Sequence, residues 1–231
     1  MELKQFYNER TYTFNDFLNS TFGYMFLGLV ITAVTAFFGY GIFGRLATSF
    51  SGMLILGIIQ IGISIYFSSR LFSMEVGAAR FCFLIYSFVT GITLSYLPYV
   101  YGGGTLAIAV IMTAVAFGSM AIIGHTTHVD MSRVQPYLMA GLIAVIVTTL
   151  LNMLLFRSFG LDALLNYAGI IIFLGIIAYD MQNLRQLYNG SAYDDNLRNK
   201  LAIYGAFSLY LDFINIFLRV LEIVARNRDD N

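Results

Sequence analysis

Seven apolar runs, each long enough to cross a bilayer as a helix, leave little of this chain outside them. A hydrocarbon core of about 30 Å takes roughly 20 residues of α-helix. The runs lie at about Phe22 to Gly44, Ser51 to Ser69, Phe81 to Pro98, Thr105 to Gly124, Val134 to Phe156, Ala163 to Met181 and Leu201 to Val224. The breaks between them carry turn or charge signals: Arg45, Arg70 to Arg80, Pro98 with Gly102-Gly103-Gly104, His125 to Arg133, and Arg157 to Asp162. The polar stretch Gln182 to Lys200 reads as the longest internal loop. Strands of a membrane barrel would be about ten residues of alternating polarity. These runs are longer and uniformly apolar, so the expected fold class is an all-α integral membrane protein with seven transmembrane helices.

Composition narrows the function. Only 11% of the 231 residues are charged, against roughly 25% in a soluble domain. Seven spans leave no room for an extramembrane catalytic domain, so an enzyme is not expected, and nothing implies a cofactor. A net charge of zero gives no electrostatic pull toward nucleic acid. Cys82, the single cysteine, cannot form an intrachain disulfide. The polar start of the chain does not have the short apolar core and small-residue cleavage site of a signal peptide. The expected organisation is an N-terminal segment over residues 1–21, a helical membrane domain over 22–224 and a short tail over 225–231.

Orientation follows from Lys and Arg in the short loops. Lys4, Arg10, Arg70, Arg80, Arg133, Arg185, Arg198 and Lys200 fall on one side, and Arg45, Arg157, Arg226 and Arg228 on the other. The bias predicts a cytoplasmic N-terminus and an external C-terminus.

Charge inside the spans is more telling. A carboxylate at mid-membrane costs roughly 2.5–3.5 kcal/mol on insertion scales and marks a functional candidate. Two are present: Asp180 near the end of the sixth run and Asp212 near the middle of the seventh. In the seventh, Tyr204, Ser208, Asp212, Asn215, Arg219 and Glu222 recur every three or four residues, which places them on one helical stripe. A single polar stripe in lipid turns toward protein or water. The seventh helix is therefore expected to be surrounded by the others. Its stripe either lines a polar path or forms a seam of interhelical hydrogen bonds.

On these boundaries Asp212 lies about two turns deeper than Asp180, so a tilt or a boundary shift is needed to bring them together. If they meet, two carboxylates in a low-dielectric site share one proton. Loss of that proton sets two negative charges against each other and favours a divalent cation. Calcium, which prefers oxygen ligands, is the natural candidate, with Asp180 and Asp212 as its ligands. The second run carries Gly57, Gln60, Ser64 and Ser68 at helical spacing and ends at Arg70, a second polar face that could line the same path. Gly28, Gly39, Gly57, Gly62, Gly118, Gly141, Gly169 and Gly175 are expected at close helix contacts.

The segments around both aspartates resemble the Bax inhibitor-1 family, also called the transmembrane Bax inhibitor motif family. The resemblance is carried by Ser208-Leu209-Tyr210-Leu211-Asp212-Phe213-Ile214-Asn215-Ile216-Phe217, by Tyr179-Asp180 with Gln182-Asn183-Leu184, and by Gly91-Ile92-Thr93-Leu94. It implies six helices around a central seventh and a pH-sensitive calcium leak. It makes Asp180 and Asp212 the pH sensor, and matches Arg70 to an arginine that interacts with that region. Tyr204, Ser208 and Asn215 would support the polar path. The short N-terminus points to a bacterial plasma (inner) membrane member. Expected partners are calcium ions, protons and membrane lipid, with membrane protein partners unidentified.

Other readings fit less of the sequence. Tyr179-Asp180 is half of an intramembrane aspartyl protease pattern, but Leu209-Tyr210-Leu211 stands before Asp212 where Gly-x-Gly is required. No Gly-x-Ser-Gly of a rhomboid-type protease occurs. His125, His128 and Asp130 have a spacing compatible with a metal but sit in a loop. The alternative of another class is a membrane scaffold that regulates a partner, such as a quality-control protease or an apoptotic factor.

Overall fold

The computed structural model describes residues 12–191 and 194–229. Lys4 and Arg10 of the basic bias lie outside the described residues, as do residues 1–11 of the 1–21 segment. Seven helices follow in order: α1 (Phe14–Thr48), α2 (Phe50–Arg70), α3 (Val76–Thr93), α4 (Leu97–Thr126), α5 (Gln135–Leu151), α6 (Phe159–Gly190) and α7 (Asp195–Asp229). All seven spans are long and apolar enough to cross a membrane, α5 together with the π-helical turn that follows it.

Several helices run past the apolar segments because their ends are capped by polar residues. α1 starts eight residues before Phe22, where Thr13 and Asp16 form a reciprocal capping box. Asp16 accepts from the Thr13 amide at 2.9 Å, and Thr13 Oγ1 accepts from the Asp16 amide at 3.3 Å. Ser49 caps α2 in the same sense, accepting from Gly52 N at 3.1 Å. The glycine triplet does not separate α3 from α4. Gly102 takes φ 70°, a conformation that favours glycine, and kinks α4 within its first turns. α5 ends in a π-helical turn over Asn152–Phe156, closed by Arg157 at φ 49°. Buried Asn152 holds that corner: it donates to Ser158 O at 3.1 Å and to Asp162 at 2.6 Å, and accepts from Ser158 N at 3.0 Å.

The stretch Gln182 to Lys200 is not a long loop. α6 continues to Gly190 and α7 begins at Asp195. Its polar residues extend both helices beyond the apolar zone, since hydropathy marks the bilayer edge and not the end of a hydrogen-bond ladder. Arg198, buried at the start of α7, pairs with Asp195 at 2.6 Å and lies over the Tyr12 ring. Tyr188 donates to Tyr12 O at 2.8 Å. The α6–α7 turn and the beginning of α1 are thereby tied together.

α7 is the most buried span and forms the centre. α1, α3, α4 and α6 pack directly on it, α2 packs on α1 and α3, and α5 packs on α6. α2 reaches the centre through Phe67, whose ring lies 4.9 Å from that of Phe207. Tyr210, fully buried, links three helices: Thr32 of α1 donates to Ser87 O of α3 at 2.9 Å, which leaves Tyr210 as donor to Thr32 at 2.6 Å.

Small residues set the closest approaches, at some of the expected positions only. A Cβ at Gly28 would lie 2.5 Å from Phe83, and one at Gly175 would lie 2.7 Å from Leu138. Gly57, Gly62 and Gly118 have no neighbour within 4 Å. Gly57 and Gly62 lie on α2, which packs on α1 and α3 along one side and turns much of its surface outward. Gly124, unremarked in the sequence, brings α4 onto the backbone of α6, where a Cβ would sit 2.5 Å from Ala178 O; only Gly52, at the α1–α2 turn, meets main chain more closely, 2.0 Å from Leu46 O.

Candidate functional site

Asp180 and Asp212 meet. Counted from the turn that joins α6 and α7, Asp180 stands about three helical turns back and Ser208 about four turns forward. With the turn confined to a few residues, no large tilt is needed. Ser208 donates its hydroxyl to Asp180, and Asp212, one turn further on, brings its carboxyl within hydrogen-bonding reach of Asp180. Both aspartates are buried, at 9% and 5% exposure. Asp212 Oδ2 accepts no hydrogen bond from a described protein donor. Two buried carboxyls facing each other, one without a donor, form an arrangement that a single shared proton satisfies. Tyr179 and Tyr204 are the other titratable groups close to Asp180.

The pair opens onto a cavity of about 290 Å³ between α5, α6 and α7. Its polar wall is Asp180, Ser208, Asp212, Asn215 and Arg219, and its apolar wall includes Met139, Leu142 and Ile146 of α5 with Phe173 and Ile176 of α6. The α7 stripe thus faces a space, and is not sealed into a packing seam along its whole length. Asn215 donates to Leu211 O at 2.8 Å. Tyr204 is half-buried one turn before Ser208, and Glu222 at the far end pairs with Arg226.

Arg70 is not part of this site. It ends α2, is exposed, and does not line the cavity, because α2 packs on α1 and α3 on another side of the bundle. The positive charge on the cavity is Arg219 instead. The polar face of α2 also goes elsewhere. Gln60 donates to Thr90 at 3.0 Å and accepts from Thr93 at 3.4 Å, and Gly57, Gln60 and Ser64 line a separate pocket with Tyr86. A third cavity, of about 420 Å³ between α1, α4 and α7, is lined by apolar side chains and Thr32 and holds no ionisable group.

Gln182 has a structural role that the sequence did not reveal. One face of its amide accepts from Met131 N at 2.8 Å and the other donates to Val129 O at 2.9 Å, which clamps the α4–α5 connection to α6. His125, His128 and Asp130 near that connection do not assemble a metal site. Among the described residues no group of three or more His, Cys, Asp or Glu converges, and His125 stacks on Phe14 with ring centroids 5.8 Å apart.

Comparisons with known proteins place this chain among membrane proteins of one family. The family model described as inhibitor of apoptosis-promoting Bax1 matches residues 14–229. An uncharacterized protein of Borreliella burgdorferi is 36% identical over 222 residues, covering 94% of each chain. The Escherichia coli inner membrane protein YbhL is 34% identical over 219 residues, covering 92% of each. An uncharacterized protein of Rickettsia prowazekii is 32% identical over 216 residues, covering 92% of this chain and 90% of its own. With seven membrane-spanning helices around a carboxyl pair, this chain belongs to the Bax inhibitor family.

Proposed function

We propose that the protein is a calcium leak pathway whose opening is set by protonation of the Asp180–Asp212 pair. The observation that carries this reading is the meeting of the two carboxyls on one cavity between α5, α6 and α7. When the pair holds one shared proton, it draws α6 and α7 together. As pH rises that proton leaves, two like charges stand in contact, and the helices are pushed apart. Calcium release should therefore increase with pH.

The oxygen donors suit a transported cation more than a resident one. Calcium takes six to eight oxygens when firmly held, and the cavity offers two carboxyls with Ser208 and Asn215 beside them. Conduction requires binding weak enough for release. By likeness to the Escherichia coli inner membrane relative, the reading places the protein in a bacterial inner membrane. The Lys and Arg bias puts the N-terminus in the cytoplasm.

Flux from proteoliposomes containing only this protein tests the proposal. Calcium release should rise as the pH is stepped from about 5 to 8 and the shared proton leaves the pair. Asp180→Asn or Asp212→Asn should flatten that dependence, and the double variant should be non-additive. Flux equal to that of empty liposomes at every pH would sink the proposal and leave the scaffold reading in its place.

A further inference from the structure

Arg219 is a second ionised group on the acidic cavity, two helical turns beyond Asp212 on the same stripe. Its guanidinium is held by neutral acceptors. Nη1 donates to Leu165 O at 3.2 Å and to Asn166 Oδ1 at 3.5 Å, and the group lies 5.7 Å from the centre of the Phe173 ring. It packs directly on the backbone of Gly169, in the space a Cβ would take. Glu222, one turn further along α7, forms an ion pair with Arg226 and also interacts through space with Arg219, so these three side chains together carry one positive charge. Among the described residues Arg219 itself forms no ion pair. The cradle therefore fixes a net positive charge at one end of a space whose other end is negative.

We infer that Arg219 limits divalent cation occupancy of this cavity, and so sets how weakly the pathway holds its ion. The inference deepens the proposed leak and rests on it for its physiological meaning. Seven residues along a helix separate the two ends by about 10 Å. At that range a fixed positive charge in a partly desolvated space weakens divalent binding at the carboxyls by about tenfold or more. The same charge repels cations from the stretch of cavity beyond Asp212. A merely structural arginine would hold α6 against α7 without changing ion affinity.

Manganese binding to the detergent-solubilised protein, followed by electron paramagnetic resonance at a pH that ionises the pair, reads this directly. Arg219→Gln should lower the manganese Kd about tenfold or more, and Arg219→Lys should keep the value of the unmodified protein. Asn166→Asp supplies a carboxylate partner to the guanidinium in place. It should tighten manganese in the same direction even if Arg219→Gln does not fold. Unchanged or weaker binding in a folded Arg219→Gln, or in Asn166→Asp, overturns the inference, as does undetectable binding in every variant. Calcium flux is measured on the same preparations. Tighter manganese with no flux from any variant removes the leak reading and keeps the charge assignment. Flux from the unmodified protein with unaltered manganese binding in the variants removes the charge assignment alone.

Discussion

Ser208 of α7 donates a hydrogen bond to Asp180 of α6, one turn ahead of Asp212. The bond crosses the seam between the two helices that carry the acid pair. A donor to a carboxylate favours its ionised form. Ser208→Ala should therefore shift the calcium flux curve toward higher pH. A hydrogen bond to a charged group contributes roughly 1.5–3 kcal/mol, which corresponds to about one pH unit or more. Flux measured in half-unit steps on Ser208→Ala and Ser208→Thr checks this, with threonine keeping the original curve.

Gln182 fastens the α4–α5 connection by donating to Val129 O and accepting from Met131 N. Gln182→Ala removes both bonds at once and leaves a carbonyl and an amide to solvent. We expect faster hydrogen exchange confined to residues 127–134 and the first turns of α5. The expected loss of thermal stability is small, about 1–2 kcal/mol for two exposed or half-exposed bonds. Exchange rising equally over α1 and α3 would show that the clamp has a wider role.

Gly124 lets α4 lie against the backbone of α6 at Ala178, two residues before Asp180. Gly124→Val would have to push one helix away, because the atoms it meets are main chain and cannot rotate aside. Overpacking of this kind costs about 1–3 kcal/mol. The variant should melt earlier, and the Asp180 environment should change with it. Gly118→Ala on the same helix, with open space around its Cα, is the control and should leave stability within about 0.5 kcal/mol.

The seven spans were legible because hydrocarbon length and apolar run length are the same physical constraint. The helix ends were not. Thr13, Asp16 and Asn152 act through hydrogen bonds to particular backbone atoms, and Gln182–Gly190 is a polar segment that continues a helix without being apolar. The aspartates could be singled out because a buried charge is costly, and the stripe on α7 followed from spacing. Their contact could not be derived, since it depends on the tightness of the α6–α7 turn. Arg70 corresponds, by resemblance, to an arginine at a helix end, but the packing of α2 against α1 and α3 holds it away from the site. Arg219 was visible in the stripe, and Gly169 among the glycines expected at close contacts. What joins them is the cradle on α6, formed by Leu165, Asn166 and Phe173, which no periodicity on a single helix can display. Met139, Leu142 and Ile146 are ordinary apolar residues in the sequence and become a cavity wall only through the position of α5.

That position has a physical consequence. α5 packs on α6, is fastened near its two ends by Gln182 and Asn152, and turns most of its remaining surface outward. The carboxyl pair is therefore separated from the hydrocarbon on that side by a wall one helix thick. The lateral pressure and thickness of the surrounding bilayer act on that wall from outside, while the charge state of Asp180 and Asp212 acts on it from within.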